Sequence, residues 1–147
     1  MCIHPQPVFR QATRADIPAM SAIRLAVTEN VLSDPSRVTH AMYVDYLDAA
    51  GRGWVAEIDG TVVAFSYADR IDGSIWALFV QPGHEGQGLA QRLLALATDW
   101  LFALGHDAVS LRTGAGTRAD GFYARQGWQR MAADGKDVEY MLARRNA

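Results

Sequence analysis

Six consecutive apolar residues, Ile75 to Val80, run without polar alternation into a segment crowded with glycine, and an amphipathic pattern follows at once. A short unbroken apolar run is what a strand covered on both faces requires, so it is read as the central strand of a sheet. From Gly88 the period changes: Leu89, Leu93, Leu96, Ala97, Trp100, Leu101 and Leu104 form a stripe that ends at Gly105, the pattern of a long helix with a glycine stop. Asp107 to Arg112 then alternates, Val109 and Leu111 against Ser110 and Arg112, and returns the chain to the sheet. Strand, glycine loop, helix, strand is the unit that the rest of the chain must accommodate.

The flanking elements are read from turn and cap chemistry. Val8 to Thr13 is an opening strand, and Thr13 with Asp16 forms a capping box before a helix expected over about residues 14 to 29. Asp34, Pro35 and Ser36 break the chain, and Val38, Met42, Tyr43, Tyr46 and Leu47 recur at helical spacing in a second, shorter helix that ends near Gly51. Trp54 to Ile58 and Thr61 to Ala68 are β-prone runs around Asp59-Gly60, a strong hairpin signal, and a second turn at Asp72-Gly73 leads into the central strand. Thr117 and Asp120 form another capping box before a short helix closed by Gly127, and Trp128 to Met131 and Val138 to Ala143 supply a last antiparallel pair. The order predicts an α/β (α+β) fold: a mixed sheet flanked by helices. At 147 residues, the expectation is one domain over 1–147 with one hydrophobic core.

Composition removes several classes of function. With 14 basic against 16 acidic side chains and no basic block, the chain lacks the footprint of a protein that wraps phosphodiester backbone, so nucleic acid is excluded as a partner. Cys2 is the one thiol and cannot build a disulfide framework, which points to a reducing, cytoplasmic setting. Met1 to Pro7 contains no apolar core of signal-peptide length, and polar residues interrupt every apolar stretch, so no membrane association is expected. His4, His40, His84 and His106 are scattered without paired spacing, and no metal site is expected.

Chemistry is expected in Gln81-Pro82-Gly83-His84-Glu85-Gly86-Gln87-Gly88-Leu89-Ala90, where small residues alternate at 86, 88 and 90. A glycine-rich turn feeding a helix start offers unpaired amides and the positive end of the helix dipole, which favour a phosphate or diphosphate. Taken alone, the same letters fit an ordinary connection that needs glycine only to turn. The P-loop pattern fails, because Gly88 is followed by Leu89 and Ala90 rather than by Lys and Ser or Thr. The dinucleotide fingerprint fails as well, since Gln91 stands where its third glycine belongs and the upstream strands read as antiparallel.

The loop and a second segment together resemble the GNAT superfamily, which transfers an acetyl group from acetyl-CoA to an amine. The family's diphosphate loop, Arg/Gln-x-x-Gly-x-Gly/Ala after a Val-x-Pro, is matched by Val80-Gln81-Pro82 followed by Glu85-Gly86-Gln87-Gly88-Leu89-Ala90. Its second motif, an alanine, an aromatic pair and a Gly-aromatic close, is matched by Ala119, Phe122, Tyr123, Gly127 and Trp128. The match departs at Glu85, where the family usually carries Arg or Gln, and at Gly116, where many members carry Asn near the thioester. The resemblance implies the GNAT fold, with a mostly antiparallel sheet of six or seven strands, about four helices and a splay at the central strands.

The resemblance also implies roles. Tyr123 takes the place of the family's general acid, and Phe79, Val80, the loop from Glu85 to Ala90 and Phe122 would hold the acetyl-CoA co-substrate, with no metal. Main-chain groups of residues 78 to 80, freed by the splay, would pair with the pantetheine arm as an added strand would. No carboxylate lies in Ile75 to Val80 to act as base. Glu57 is a candidate if it faces the cleft, against the plainer role of a solvent-facing charge. Glu29, Asn30 and Asp34 are candidates for binding the acceptor amine, against plain roles at a helix end and a turn. Trp54, Trp76, Trp100 and Trp128 read as core rather than as a cage, and Arg112, Arg118, Arg125 and Arg130 as solvated unless they approach the adenosine phosphates. The expected acceptor is a small-molecule or peptide amine, and a homodimer is compatible with this reading. The competing class is a GNAT-fold module that binds acyl-CoA or a protein without turnover.

Overall fold

The computed structural model describes residues 6–26, 51–134 and 136–144. The helix expected between Val38 and Gly51, and with it Glu29, Asn30 and Asp34, lies outside the described residues. Seven strands and three helices are seen among the described residues: β1 (Val8–Gln11), a 3-10 turn (Arg14–Asp16), α1 (Ile17–Ala26), β2 (Gly51–Ile58), β3 (Thr61–Asp69), β4 (Ser74–Val80), α2 (Leu89–Ala103), β5 (Ala108–Gly114), α3 (Arg118–Arg125), β6 (Gln129–Asp134) and β7 (Asp137–Ala143). The strands form one sheet in the order β1-β2-β3-β4-β5-β7-β6. Only β4 and β5 run parallel. That pair is joined through α2, as a parallel crossover demands.

Local chemistry accounts for the β2–β3 hairpin. Asp59 and Gly60 both take positive φ, 54° and 76°, the backbone of the two-residue turn whose twist matches the flanking strands. On the central strand the apolar run hides a change of parity. Tyr67 pairs with Ala77, but Ala68 pairs with Ile75, so Trp76 is a surplus residue on β4. Ile75 therefore packs in the layer beneath α2, with Leu93, Ala97 and Leu101, whereas Ala77 and Phe79 pack in the layer beneath α1, with Met20 and Ile23. The sheet thus separates two cores, where a single one was expected. Covering both faces is what the unalternated run required.

The same bulge marks the end of the β4–β5 ladder. Pairing between these strands is confined to Ser74 with Ser110 and Ile75 with Leu111. Beyond Ile75 the two strands diverge, and among the described residues the edge of β4 from Trp76 to Val80 has no strand beside it on the β5 side.

At the far edge of the sheet, Asp16 closes the turn before α1. Its carboxylate accepts from the Thr13 amide at 2.7 Å, as the capping box predicted, and from both terminal nitrogens of Arg10 at 2.8 Å. The Arg10 guanidinium, and then the Thr13 amide, hold this buried carboxyl below the usual aspartate range. A lowered folded pKa contributes stability that is fully present above the ordinary aspartate value and is lost as pH falls from there through the lowered one. Asp16→Asn is therefore expected to reduce stability at pH 7 and to flatten the loss between about pH 5 and pH 3, measured by urea unfolding across that range. A wild-type pH slope in the variant would assign the acid limb to other groups.

Candidate functional site

The divergence of β4 from β5 opens the sheet, and two cavities meet there. One, of about 450 Å³, lies between the end of β4, the loop before α2 and the face of α3. Phe79, Val80, Glu85, Gly86, Gly88, Leu89, Ala90 and Phe122, all expected around the co-substrate, line it; Gln87 does not. The second, of about 750 Å³, lies between Arg24 of α1, the splayed strands and the start of β7. Leu78, Phe79, Ala119 and Tyr123 belong to both walls.

The loop has the form an anion requires. Gly86 and Gly88 each have a φ of 78°, and a Cβ placed on either meets no atom of the described residues within 4 Å, so among them open space stands directly over the backbone. Gly88 is the N-cap of α2 and has no side chain to satisfy the first helical amides. Beyond this polar mouth, Leu78, Phe79, Val80, Leu89 and Phe122 make an apolar wall along the open edge of β4.

Glu85 departs from the family pattern in a way that the structure makes concrete. Its carboxylate folds back over its own loop and accepts from the Gly83 amide at 2.9 Å. The second oxygen lies 3.5 Å from the Arg118 guanidinium of α3, across the cavity mouth. The amides of Glu85 itself and of Gly83 hold the group below the ordinary carboxylate range, with Arg118 contributing further. A carboxylate is thus already seated at the rim of the glycine loop. Arg118 and Arg125 line the same cavity, which sequence alone left as solvated surface.

Tyr123 occupies the junction. The residue is 5% exposed, and its ring lies 5.2 Å from that of Phe122, 5.9 Å from Trp128 and 5.7 Å from Tyr140. Burial pushes its phenol well above the usual tyrosine value, so it stays protonated across the physiological range. The helix that carries it is capped by Thr117, whose hydroxyl accepts from the Asp120 amide. The other half of the expected capping box is not formed: the Asp120 carboxylate takes the amide of Gly116, one residue before the cap. Gly116 stands where the family's Asn was missed.

Glu57 is not brought to the site. It faces β1, where Arg10 donates to it through Nε at 2.6 Å, and it lines neither cavity. Trp54 and Trp100 pack edge to face at 5.7 Å, and Trp128 sits beside Tyr123, so these three are core. Trp76 differs: it lines the second cavity and lies under the Arg24 guanidinium, 5.4 Å from its ring centre. Arg24 was not singled out in the sequence, because its position among the apolar residues of α1 carries no motif.

Residues 18–128 match the sequence model described as the acetyltransferase (GNAT) family. No curated protein sequence matches the chain significantly. Among solved structures, a PaiA N-acetyltransferase from Thermoplasma acidophilum in complex with coenzyme A is similar at 14% identity and TM-score 0.81, over 95% of this chain and 99% of that one. A ribosomal-protein-S18-alanine N-acetyltransferase from Escherichia coli is similar at 16% identity and TM-score 0.76, over 94% of both chains. A ribosomal-protein-alanine N-acetyltransferase from Brucella melitensis reaches 21% identity and TM-score 0.75, over 92% and 99%. At such identities the structural likeness establishes the fold.

Proposed function

Because this chain belongs to the acetyltransferase (GNAT) family, we propose that it moves an acetyl group from acetyl-CoA to a primary amine by direct transfer, with Tyr123 as general acid. The observation that carries the proposal is the position of Tyr123 in the wall common to both cavities, at the point where β4 and β5 part.

The residues present fit acetyl-CoA. Gly86, Gly88 and the uncapped start of α2 suit the diphosphate, the apolar wall from Leu78 to Val80 with Phe122 suits the pantetheine arm, and the open β4 edge offers main-chain groups for its amides. Acetyl-CoA supplies an activated thioester carbonyl. As the amine nitrogen bonds the acetyl carbon and the C–S bond breaks, Tyr123, kept protonated by burial, gives its proton to the departing sulfur, and the proton shed by the new amide nitrogen restores the phenol. The second cavity is the acceptor side. A small-molecule or peptide amine fits this assignment, and a peptide is in keeping with the ribosomal-protein-alanine N-acetyltransferases among the structural likenesses. We place the protein in the cytoplasm on the composition argument.

Incubation with acetyl-CoA and a panel of amines, following free thiol, tests the reading: thiol release that depends on an added amine is expected. Tight acetyl-CoA binding with no amine-dependent thiol would instead leave a binding module. Glu85 gives a separate expectation. Glu85→Gln removes the negative charge beside the loop while keeping its size, so acetyl-CoA should bind about threefold more tightly at low salt, and the gain should fade at high salt. Calorimetry giving equal or weaker binding at low salt would show that the carboxylate does not oppose the diphosphate.

A further inference from the structure

We infer that Asp120 and Tyr140 act together as positioning residues for Tyr123; the inference rests on the acid role proposed above. Asp120 stands one turn before Tyr123 on α3, a helix of 8 residues, too short to hold its own rotational setting. Its setting must come from tertiary anchors, and Asp120 gathers them. The carboxylate accepts from the Tyr140 hydroxyl at 2.5 Å, from the Gly116 amide at 2.9 Å, and from Arg130 through Nε and Nη2 at 3.3 Å. These donors come from three places: β7, the loop before α3, and β6.

Tyr140 serves two purposes at once. It is fully buried, and its hydroxyl lies 2.8 Å from the main-chain oxygen of Asp120 as well as against the carboxylate. Its ring backs the ring of Tyr123 at 5.7 Å, tilted by 45°. One side chain therefore fixes the start of α3 to the sheet and forms the surface against which the phenol lies. An apolar residue would fill the same space without needing a partner; a hydroxyl tied to a carboxylate fixes the depth and rotation of the helix. Catalytic groups lose large factors when misplaced by about 1 Å, so this restraint bears on the acid step rather than on binding.

The test is a double-mutant cycle. Tyr140→Phe and Asp120→Asn are made in the native chain and in Tyr123→Phe, and kcat, the KM for acetyl-CoA and the melting temperature are measured for each. In the native background, Tyr140→Phe is expected to lower kcat three- to tenfold with the acetyl-CoA KM within twofold, and Asp120→Asn to do the same. In the Tyr123→Phe background both losses should vanish, because the group they position is gone. Unchanged kcat in both single variants, whatever happens to melting, overturns the inference while leaving the acid role in place. Losses of equal size in both backgrounds overturn it too, since the pair would then act elsewhere. If Tyr123→Phe alone leaves turnover intact, the acid role fails first and the inference falls with it.

Discussion

Tyr123→Phe is expected to lower turnover at least about a hundredfold while acetyl-CoA binds as before, a general acid being worth roughly that much or more. The substitution removes one oxygen from a ring packed against Phe122, Trp128 and Tyr140, so the apolar contacts that set its place are retained. In the proposed site, binding relies on the loop and on the wall along β4, neither of which the hydroxyl builds. A drop in kcat with unchanged affinity is the signature of an interaction made only in the transition state. Single-turnover thiol release and calorimetry on the same preparation measure the two quantities. Native-like turnover would remove the phenol from the chemistry.

Gly88→Val should weaken acetyl-CoA binding at least tenfold, about 1.4 kcal/mol, with the variant still folded. Two effects add. At a φ of 78° a β-branched residue is strained, so the loop is pulled away from the conformation that presents its amides. And because a Cβ at Gly88 meets nothing within 4 Å among the described residues, the added methyl groups enter the space over the backbone that a diphosphate would need. The same openness is why the fold should survive, which far-ultraviolet circular dichroism checks. Gly88→Ala, with the backbone penalty but less bulk, should fall between the two. Equal affinity in a folded Gly88→Val protein would move the diphosphate elsewhere.

What was legible in the sequence is what local chemistry or period determines. The Asp59-Gly60 hairpin, the α2 stripe and the strand–loop–helix–strand unit follow from two-residue turn rules and from spacing, and they stand where they were expected. The splay came from family resemblance, because separation of β4 from β5 is a property of pairing between distant segments and leaves no local mark. The surplus residue at Trp76 was hidden for a related reason: in a run of six apolar residues, parity has no contrast to reveal it. Asp120 was read as half of a capping box, a local role, yet its strongest partners are Tyr140 and Arg130, on strands that only the fold brings near. Glu57 was a candidate base by residue type alone; Arg10, reached across the β1–β2 ladder, decides its fate.

The opening between β4 and β5 begins where Trp76 interrupts the count on the central strand. Were that tryptophan deleted, the shortened strand would make the more regular ladder. Ile75 and Ala77 would then be neighbours on opposite faces, in the layers they already occupy. The gap thus begins beside one extra stitch in the weave, a residue that the two layers could do without.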